Sequence, residues 1–494
     1  MLLLGIDLGT SSIKVSVFDS STSKTICSVT HPEQETGITS LQAGWAEQSP
    51  NTWWQHVKEA IQKAHHIGGY NPLDINAIGI SYQMHGLVIV DEEGTVIRDS
   101  IIWCDSRAVP FGESAAQKIG IQHSLENLLN TPGNFTAAKL AWVKANEPEN
   151  FKKVAKVMLP GDFIAYRLTG EITTTASALS EGIFWDFKTN TLSNDVLNAF
   201  GFEASIIPQI KDVFTEHGFV TNAIAAELKL RAGIPVTYKA GDQPNNAFSL
   251  QVLNPGELAT TAGTSGVVYG VSDQISYDPK SRVNCFAHVN HTNALQRIGV
   301  LLCVNGTGIL NSWLRSQMFG NLAYNDINAL AQNIQPGSEG LQLFPFGNGA
   351  ERILENRAVG ASVANWDFNR HKQAHFARAA QEGIVFALQY GMEIMKDMGI
   401  AVNKVKAGKA NMFLSPVFKE IFANTSGAVI ELYNTDGSVG AARAAGLGLK
   451  LFANEKECFK GMELLEEITP SKSLNQQYQE IYQNWKSALI KQLH

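Results

Sequence analysis

Two stretches of this chain share one construction, and that repetition restricts what the chain can fold into. Residues 2–8 read Leu-Leu-Leu-Gly-Ile-Asp-Leu, the chain turns through Gly9-Thr10-Ser11-Ser12, and Ile13-Lys14-Val15-Ser16-Val17-Phe18-Asp19 follows with strict alternation. Alternation at period two predicts a strand, so the segment reads as a hairpin. Residues 257–269 repeat the plan, with a strand to Ala262, a turn at Gly263-Thr264-Ser265 and a second strand from Gly266. One such turn means little, since Gly, Ser and Thr dominate turns for local reasons. Two of them, each opening half of the chain, predict duplicated α/β domains that grip phosphates from both sides. Glycine, hydroxyls and the cation of Lys14 are what a backbone cradle for a polyphosphate needs, although a plain polar-tipped hairpin uses the same residues. Asp7 ends the first strand beside this tip. An acid repels phosphates unless a divalent cation lies between them, so Asp7 is a candidate Mg²⁺ ligand, directly or through water.

A chain of 494 residues is too long for one core, and two large domains suffice. With 44% hydrophobic and 17% charged residues it has a globular balance. A formal charge of −7 gives no basic excess for binding nucleic acid, so any phosphate contacts are local. The five cysteines, Cys27, Cys104, Cys285, Cys303 and Cys458, are odd in number and widely spaced. They predict packing roles rather than a disulfide framework or a zinc site. The N-terminal apolar run has no basic flank and meets Asp7 early, so it reads as neither signal peptide nor membrane span. The expected compartment is a reducing cytoplasm.

Near the midpoint stands Ala240-Gly241-Asp242-Gln243-Pro244-Asn245-Asn246-Ala247. Proline removes a donor and disfavours helical geometry in the residue before it, which predicts Asp242 on a loop rather than in a regular helix. Its carboxylate is either the acceptor of an Asx-type turn or a general base. Gln83, Met84 and His85 follow a buried strand and offer two hydrogen-bonding side chains beside an apolar one, a plausible wall for a polyol. Asp105 and Arg107 end the run Ile-Ile-Trp-Cys-Asp-Ser-Arg from residue 101, and a local ion pair is their alternative reading. The tryptophans from Trp45 to Trp54 read as core, given the area each buries.

In chain order, Gly5-Ile6-Asp7-Leu8-Gly9-Thr10-Ser11, Gln83-Met84-His85-Gly86, Trp103-Cys104-Asp105-Ser106-Arg107, Lys139-Leu140-Ala141-Trp142, Gly241-Asp242, Gly263-Thr264-Ser265-Gly266 and Gly440-Ala441-Ala442-Arg443 resemble the motifs of the FGGY carbohydrate kinases. The resemblance covers nearly the whole chain. It implies an α/β fold of two ribonuclease H-like (actin-like ATPase) domains flanking a central catalytic cleft. Residues 1–240 would carry the sugar site and first phosphate hairpin, and 241–494 the second hairpin and nucleotide site. It implies ATP and Mg²⁺, with Asp242 as catalytic base and Asp7 at the metal and phosphates. Substrate contacts would come from Gln83, Met84, His85, Trp103, Asp105 and Gln243. Nucleotide contacts would come from Gly9, Thr10, Ser11, Ser12, Lys14, Gly263, Thr264, Ser265, Gly306, Gly408 and Asn411.

Met84-His85 match the substrate motif of the family's xylulokinases, where glycerol kinases are expected to carry Arg-Glu. The implied reaction is phosphorylation of the terminal hydroxyl of a ketose, D-xylulose before L-ribulose, L-rhamnulose, L-fuculose, gluconate or glycerol. A non-catalytic actin-like nucleotide-binding sugar sensor is the alternative from another class. The implied partners are a small sugar and ATP, with no nucleic acid or membrane, and a homodimer is left open. Three stretches depart from the family pattern. Gln243-Pro244 follow the base where Asn is usual, Ala407 to Ser415 replace a Gly-Gly-Gly-Ala loop, and Gly349-Ala350-Glu351-Arg352-Ile353 replace Gly-Glu-Arg-Thr-Pro.

Overall fold

The N-terminal alternation becomes a hairpin in a computed structural model that describes all 494 residues. β1 (Leu2–Leu8) pairs antiparallel with β2 (Ile13–Asp19), placing Asp7 opposite Lys14. β3 (Lys24–His31) continues the meander, and β4 (Ile75–Tyr82) and β5 (Val236–Gly241) are added in parallel on the other side of β1, giving the order β5-β4-β1-β2-β3. The second half repeats this plan. β6 (Leu258–Ala262) and β7 (Gly266–Ser272) form the hairpin, β8 (Asn284–Ala287) and β9 (Ile298–Val304) extend it, and β10 (Lys404–Gly408), β11 (Val429–Tyr433) and β12 (Leu464–Ile468) complete the order β8-β9-β7-β6-β10-β11-β12. Within it, β9-β7-β6-β10-β11 has the strand order and directions of the first sheet. Both hairpin tips lie at the strand ends where loops gather, the usual ligand edge of such sheets.

Helices cover the sheets. α1 (Pro50–Ile67) buries Trp53, Trp54, Val57 and Ile61 against the first, the helical spacing expected of a core-facing stripe. α2 (Ala176–Glu181) and α3 (Asp242–Ser249) lead toward the middle of the molecule, and α4 (Gly308–Gln317) follows β9. α5 (Gln373–Asp397) is buried along most of its length. α6 (Gly437–Gly448) belongs to the second half by sequence, yet it lies on the first sheet. A Cβ on Gly5 would stand 1.9 Å from the Ser438 carbonyl oxygen, and one on Gly79 would stand 2.0 Å from that of Ala441. The small residues of α6 therefore serve backbone-to-backbone packing. No helix is long and apolar enough to cross a membrane.

One local expectation is overturned. Asp242 opens α3, with Pro244 in the first turn. The first-turn N–H groups have no partner inside a helix, so a proline there removes nothing the helix uses.

Candidate active site

The first hairpin tip is spent partly on the wall beside it. The Thr10 hydroxyl donates to Gln83 Oε1 (3.1 Å) and accepts from Trp103 Nε1 (2.9 Å). Gln83 Nε2 donates to Gln48 Oε1 (3.2 Å), and Gln48 Nε2 donates to the Thr10 carbonyl (2.8 Å). Thr10 thus fixes the wall, contrary to its expected place among the nucleotide contacts. Gly9 closes the turn through its N–H on the Ser12 carbonyl (3.1 Å), and Ser11 stays exposed. Trp103 keeps half its surface in solvent, so its ring remains available to an outside molecule.

His85 is held in a left-handed conformation, φ 63°, uncommon for a residue with a side chain and a frequent mark of functional sites. Thr136 Oγ1 (3.2 Å) and Lys139 Nζ (2.8 Å) donate to its carbonyl, and its ring packs on Phe135 and Phe286 at 5.1 and 5.4 Å. Burial, helped by the Lys139 charge, pulls the imidazole down to about 3, so the ring is neutral. Nδ1 faces the Glu181 carbonyl at 2.8 Å. A carbonyl can only accept, so Nδ1 carries the proton and Nε2 is left as an acceptor. Lys139 is itself fully enclosed, and burial draws its ammonium down to about 7 against the pull of Asp105.

Asp105 is corrected from substrate contact to internal anchor. It is 0% exposed. Its Oδ2 accepts from Ala46 N (2.6 Å) and Arg107 Nε (2.9 Å), and its Oδ1 accepts from Arg107 N (2.8 Å). Arg107 also reaches Glu47 at 2.5 Å and lies 3.7 Å over the Trp45 ring. Removing one partner of a buried pair strands the other charge. Asp105→Ala is therefore expected to cost about 3–5 kcal/mol of stability, read as a lower urea midpoint at unchanged slope.

At the seam between the two halves Asp7 feels the charges of two further acids, Asp242 and Asp436. Asp242, half-buried at the start of α3, is pushed up to about 7 by burial and by the charge of Asp7. α3, which Asp242 opens, runs against β6 and β7 of the second hairpin. Burial likewise raises Asp7, the Ser81 hydroxyl opposes this, and Asp436 adds to it. Asp436, the N-cap of α6, accepts from the N–H groups of Ser438 (3.0 Å) and Val439 (3.1 Å) and from Lys14 Nζ (2.6 Å). Burial acts upward on it, but Lys14 and these donors outweigh that and hold it below the usual carboxylate range. Gly437 lets α6 approach, since a Cβ there would meet Asp7 Oδ2 at 2.4 Å. Like charges that act on one another are relieved by a cation between them, and an all-oxygen donor set suits a hard divalent ion held directly or through water.

Behind Gly241, the buried carboxyl of Glu181 has no hydrogen-bond partner on either oxygen, and burial and the charge of Asp242 raise it well above its ordinary value. A Cβ on Gly241 would meet Glu181 Oε2 and Met84 Cγ, each at 2.7 Å. Gln243 follows Asp242, its Oε1 buried without a partner. Neither Glu181 nor Asp436 was singled out from the sequence. Asp436 had a readable signal, an acid before Gly-Ser at a strand-to-helix junction. Glu181 had none.

The second tip is stapled to α4, with Gly308 N on the Gly263 carbonyl (2.9 Å) and Ile309 N on that of Thr264 (3.1 Å). Beside it a cavity of about 470 Å³ is lined by Gly263, Thr264, Asn311, Tyr324, Asn328 and Asn411 among others. The turn Asn411–Leu414, in the stretch that replaces the family's glycine loop, forms part of its wall, with Asn411 at φ 53°. Two glycines expected at a nucleotide do not line this cavity. Gly306 is a packing glycine, since a Cβ there would stand 1.4 Å from the Pro345 carbonyl, and it faces a second, apolar cavity across α4. Gly408 ends β10 beside Thr435, outside the 470 Å³ cavity.

The chain matches known proteins along nearly its whole length. Residues 2–249 match the model of the FGGY family of carbohydrate kinases, N-terminal domain. The chain belongs to the FGGY family of carbohydrate kinases. This FGGY kinase is 30% identical over 461 residues to xylulose kinase of Bacillus subtilis (strain 168), covering 92% of this chain and 90% of that one. The crystal structure of xylulose kinase from Rhodospirillum rubrum superposes with a TM-score of 0.90 at 23% identity, covering 99% of each chain. Gluconate kinase from Lactobacillus acidophilus does so with 0.89 at 22% identity, covering 100% of this chain and 98% of that one. Both structural likenesses speak to the fold, which kinases of different named substrates share.

Proposed function

We propose that this FGGY kinase transfers the γ-phosphoryl group of ATP to the terminal hydroxyl of D-xylulose, giving D-xylulose 5-phosphate. The observation that carries the reading is Asp242 at the seam of the two tips, its proton affinity lifted to about 7. A base of that strength is matched to taking a proton from a hydroxyl near neutral pH. Asp242 accepts the hydroxyl proton as the oxygen bonds to phosphorus. Trp103 and the neutral His85 line the sugar, Nε2 of His85 accepting from a hydroxyl, while Gln83, buried and bonded to Thr10 and Gln48, holds Trp103's partner in place rather than touching the sugar. The glycine and hydroxyl tips hold the phosphates, and the amide-rich cavity beside Asn411 takes the nucleoside. Asp7 would hold Mg²⁺, directly or through water, and the ion would offset phosphate charge. Residues 1–240 carry the sugar side and 241–494 the nucleotide side, with α6 crossing back.

The acid form of Asp242 cannot accept a proton. kcat/KM for the sugar is therefore expected to rise with pH, pass half-maximum near about 7 and level above it. A rate that is flat from mildly acid to neutral pH removes Asp242 from the role. The test of substrate is a panel of D-xylulose, L-ribulose, L-rhamnulose, L-fuculose, gluconate and glycerol scored by ADP formation. D-xylulose is expected to be fastest. A different fastest sugar replaces the substrate, and ADP release independent of every sugar overturns the kinase reading.

A further inference from the structure

Away from the seam, His31, His56 and Glu59 bring two imidazoles and a carboxylate together, their ligand atoms all within 4.8 Å of one another. His31 ends β3, while His56 and Glu59 stand three residues apart on α1 and so share a face of it. All three are half-buried. An ordinary ion pair would need only His31 and Glu59, whose Nε2 and Oε2 lie 2.6 Å apart. It gives no reason for a second imidazole set edge-on to the first, ring centres 5.5 Å apart at 77°. A protonated His31 is repelled by any charge on His56, whereas a shared cation uses the lone pairs of both rings.

The surroundings also orient the donors. Thr36 Oγ1 lies 3.3 Å from His56 Nδ1, and Gln55 Nε2 donates to Glu59 Oε1 at 2.8 Å, leaving Oε2 toward His31. Outer contacts of this kind fix ring and carboxylate orientation at metal centres. We propose that His31, His56 and Glu59 form a Zn²⁺ site with three protein ligands and one open position. Two nitrogens and one carboxylate oxygen are a known zinc donor set, with ligand atoms roughly 3.3–3.5 Å apart once bound, a separation that small side-chain rotations reach from the present one. The site clamps the edge strand β3 to α1. It is one residue removed from the first hairpin tip, because Thr36 also donates its backbone N–H to the Ser11 carbonyl at 2.7 Å.

The test titrates the tag-free, full-length chain with zinc chloride by calorimetry, in excess Mg²⁺ so that the carboxylates at the seam are already occupied. Wild type is expected to take up one ion per chain, with a Tm that rises on zinc addition. His56→Ala loses both responses. Gln55→Ala, which touches only Glu59, keeps the uptake with affinity about 10–100-fold weaker, so the proposal stays testable if His56→Ala fails to fold. No saturable uptake by wild type, or an affinity unchanged in both variants, overturns it.

Discussion

Asp242→Asn is expected to give a folded protein whose sugar-dependent ADP formation is reduced by about 10²–10⁴, the usual weight of a positioned base. The amide has nearly the shape of the carboxyl but accepts no proton. It also carries no charge, and the charge of Asp7 acts against that of Asp242. Replacing it removes a repulsion, so the Tm of the variant is expected to equal or exceed that of wild type. Loss of turnover with retained Tm separates a chemical role from a structural one, and a variant that turns over near the wild-type rate sends the search for the base elsewhere.

Gly241→Ala is the second large effect. Its φ of −57° suits alanine, so the backbone itself raises no objection. The new methyl group, however, would occupy the space of Glu181 Oε2 and Met84 Cγ, and the residue it displaces is the neighbour of Asp242. Misplacing a reacting group by about 1 Å can cost about 10²-fold, so kcat is expected to fall by that order while KM for ATP, whose contacts lie at the two tips and beside Asn411, stays near wild type. Met84→Ala in the same chain makes room and is expected to restore part of kcat. An unchanged kcat in Gly241→Ala shows that the turn has slack and that the carboxyl behind it does not position Asp242.

Much of this was legible in the sequence because it was local. The strict alternation of Ile13 to Asp19 and the repeated Gly-Thr-Ser turns identified both hairpins, and each became the central pair of a sheet of the same strand order. The apolar stripe of α1 announced its buried face through Trp53, Trp54 and Val57. What sequence could not supply was direction and partner. Asp105 looked like a site acid because it ends an apolar run inside a motif shared with the FGGY kinases, but its carboxylate turns inward to Ala46 and Arg107. Gly306 looked like a phosphate glycine and is a packing one. Pro244 looked like a helix breaker, though its position in the first turn makes it harmless. Asp436 and Lys14, 422 residues apart, could be joined only by folding. His31 met His56 for the same reason, an edge strand laid beside a helix.

The seat of α6 on the first sheet bears on how the polypeptide is born. Gly5 and Gly79 pack against the backbone of residues 437–448, so a ribosome must reach those residues before the earliest strands are roofed. During that interval the nascent chain offers an uncovered β-surface to any chaperone or neighbour. A stop codon ahead of residue 437 leaves that surface open for good, and a fragment ending at the waist is not an independent half.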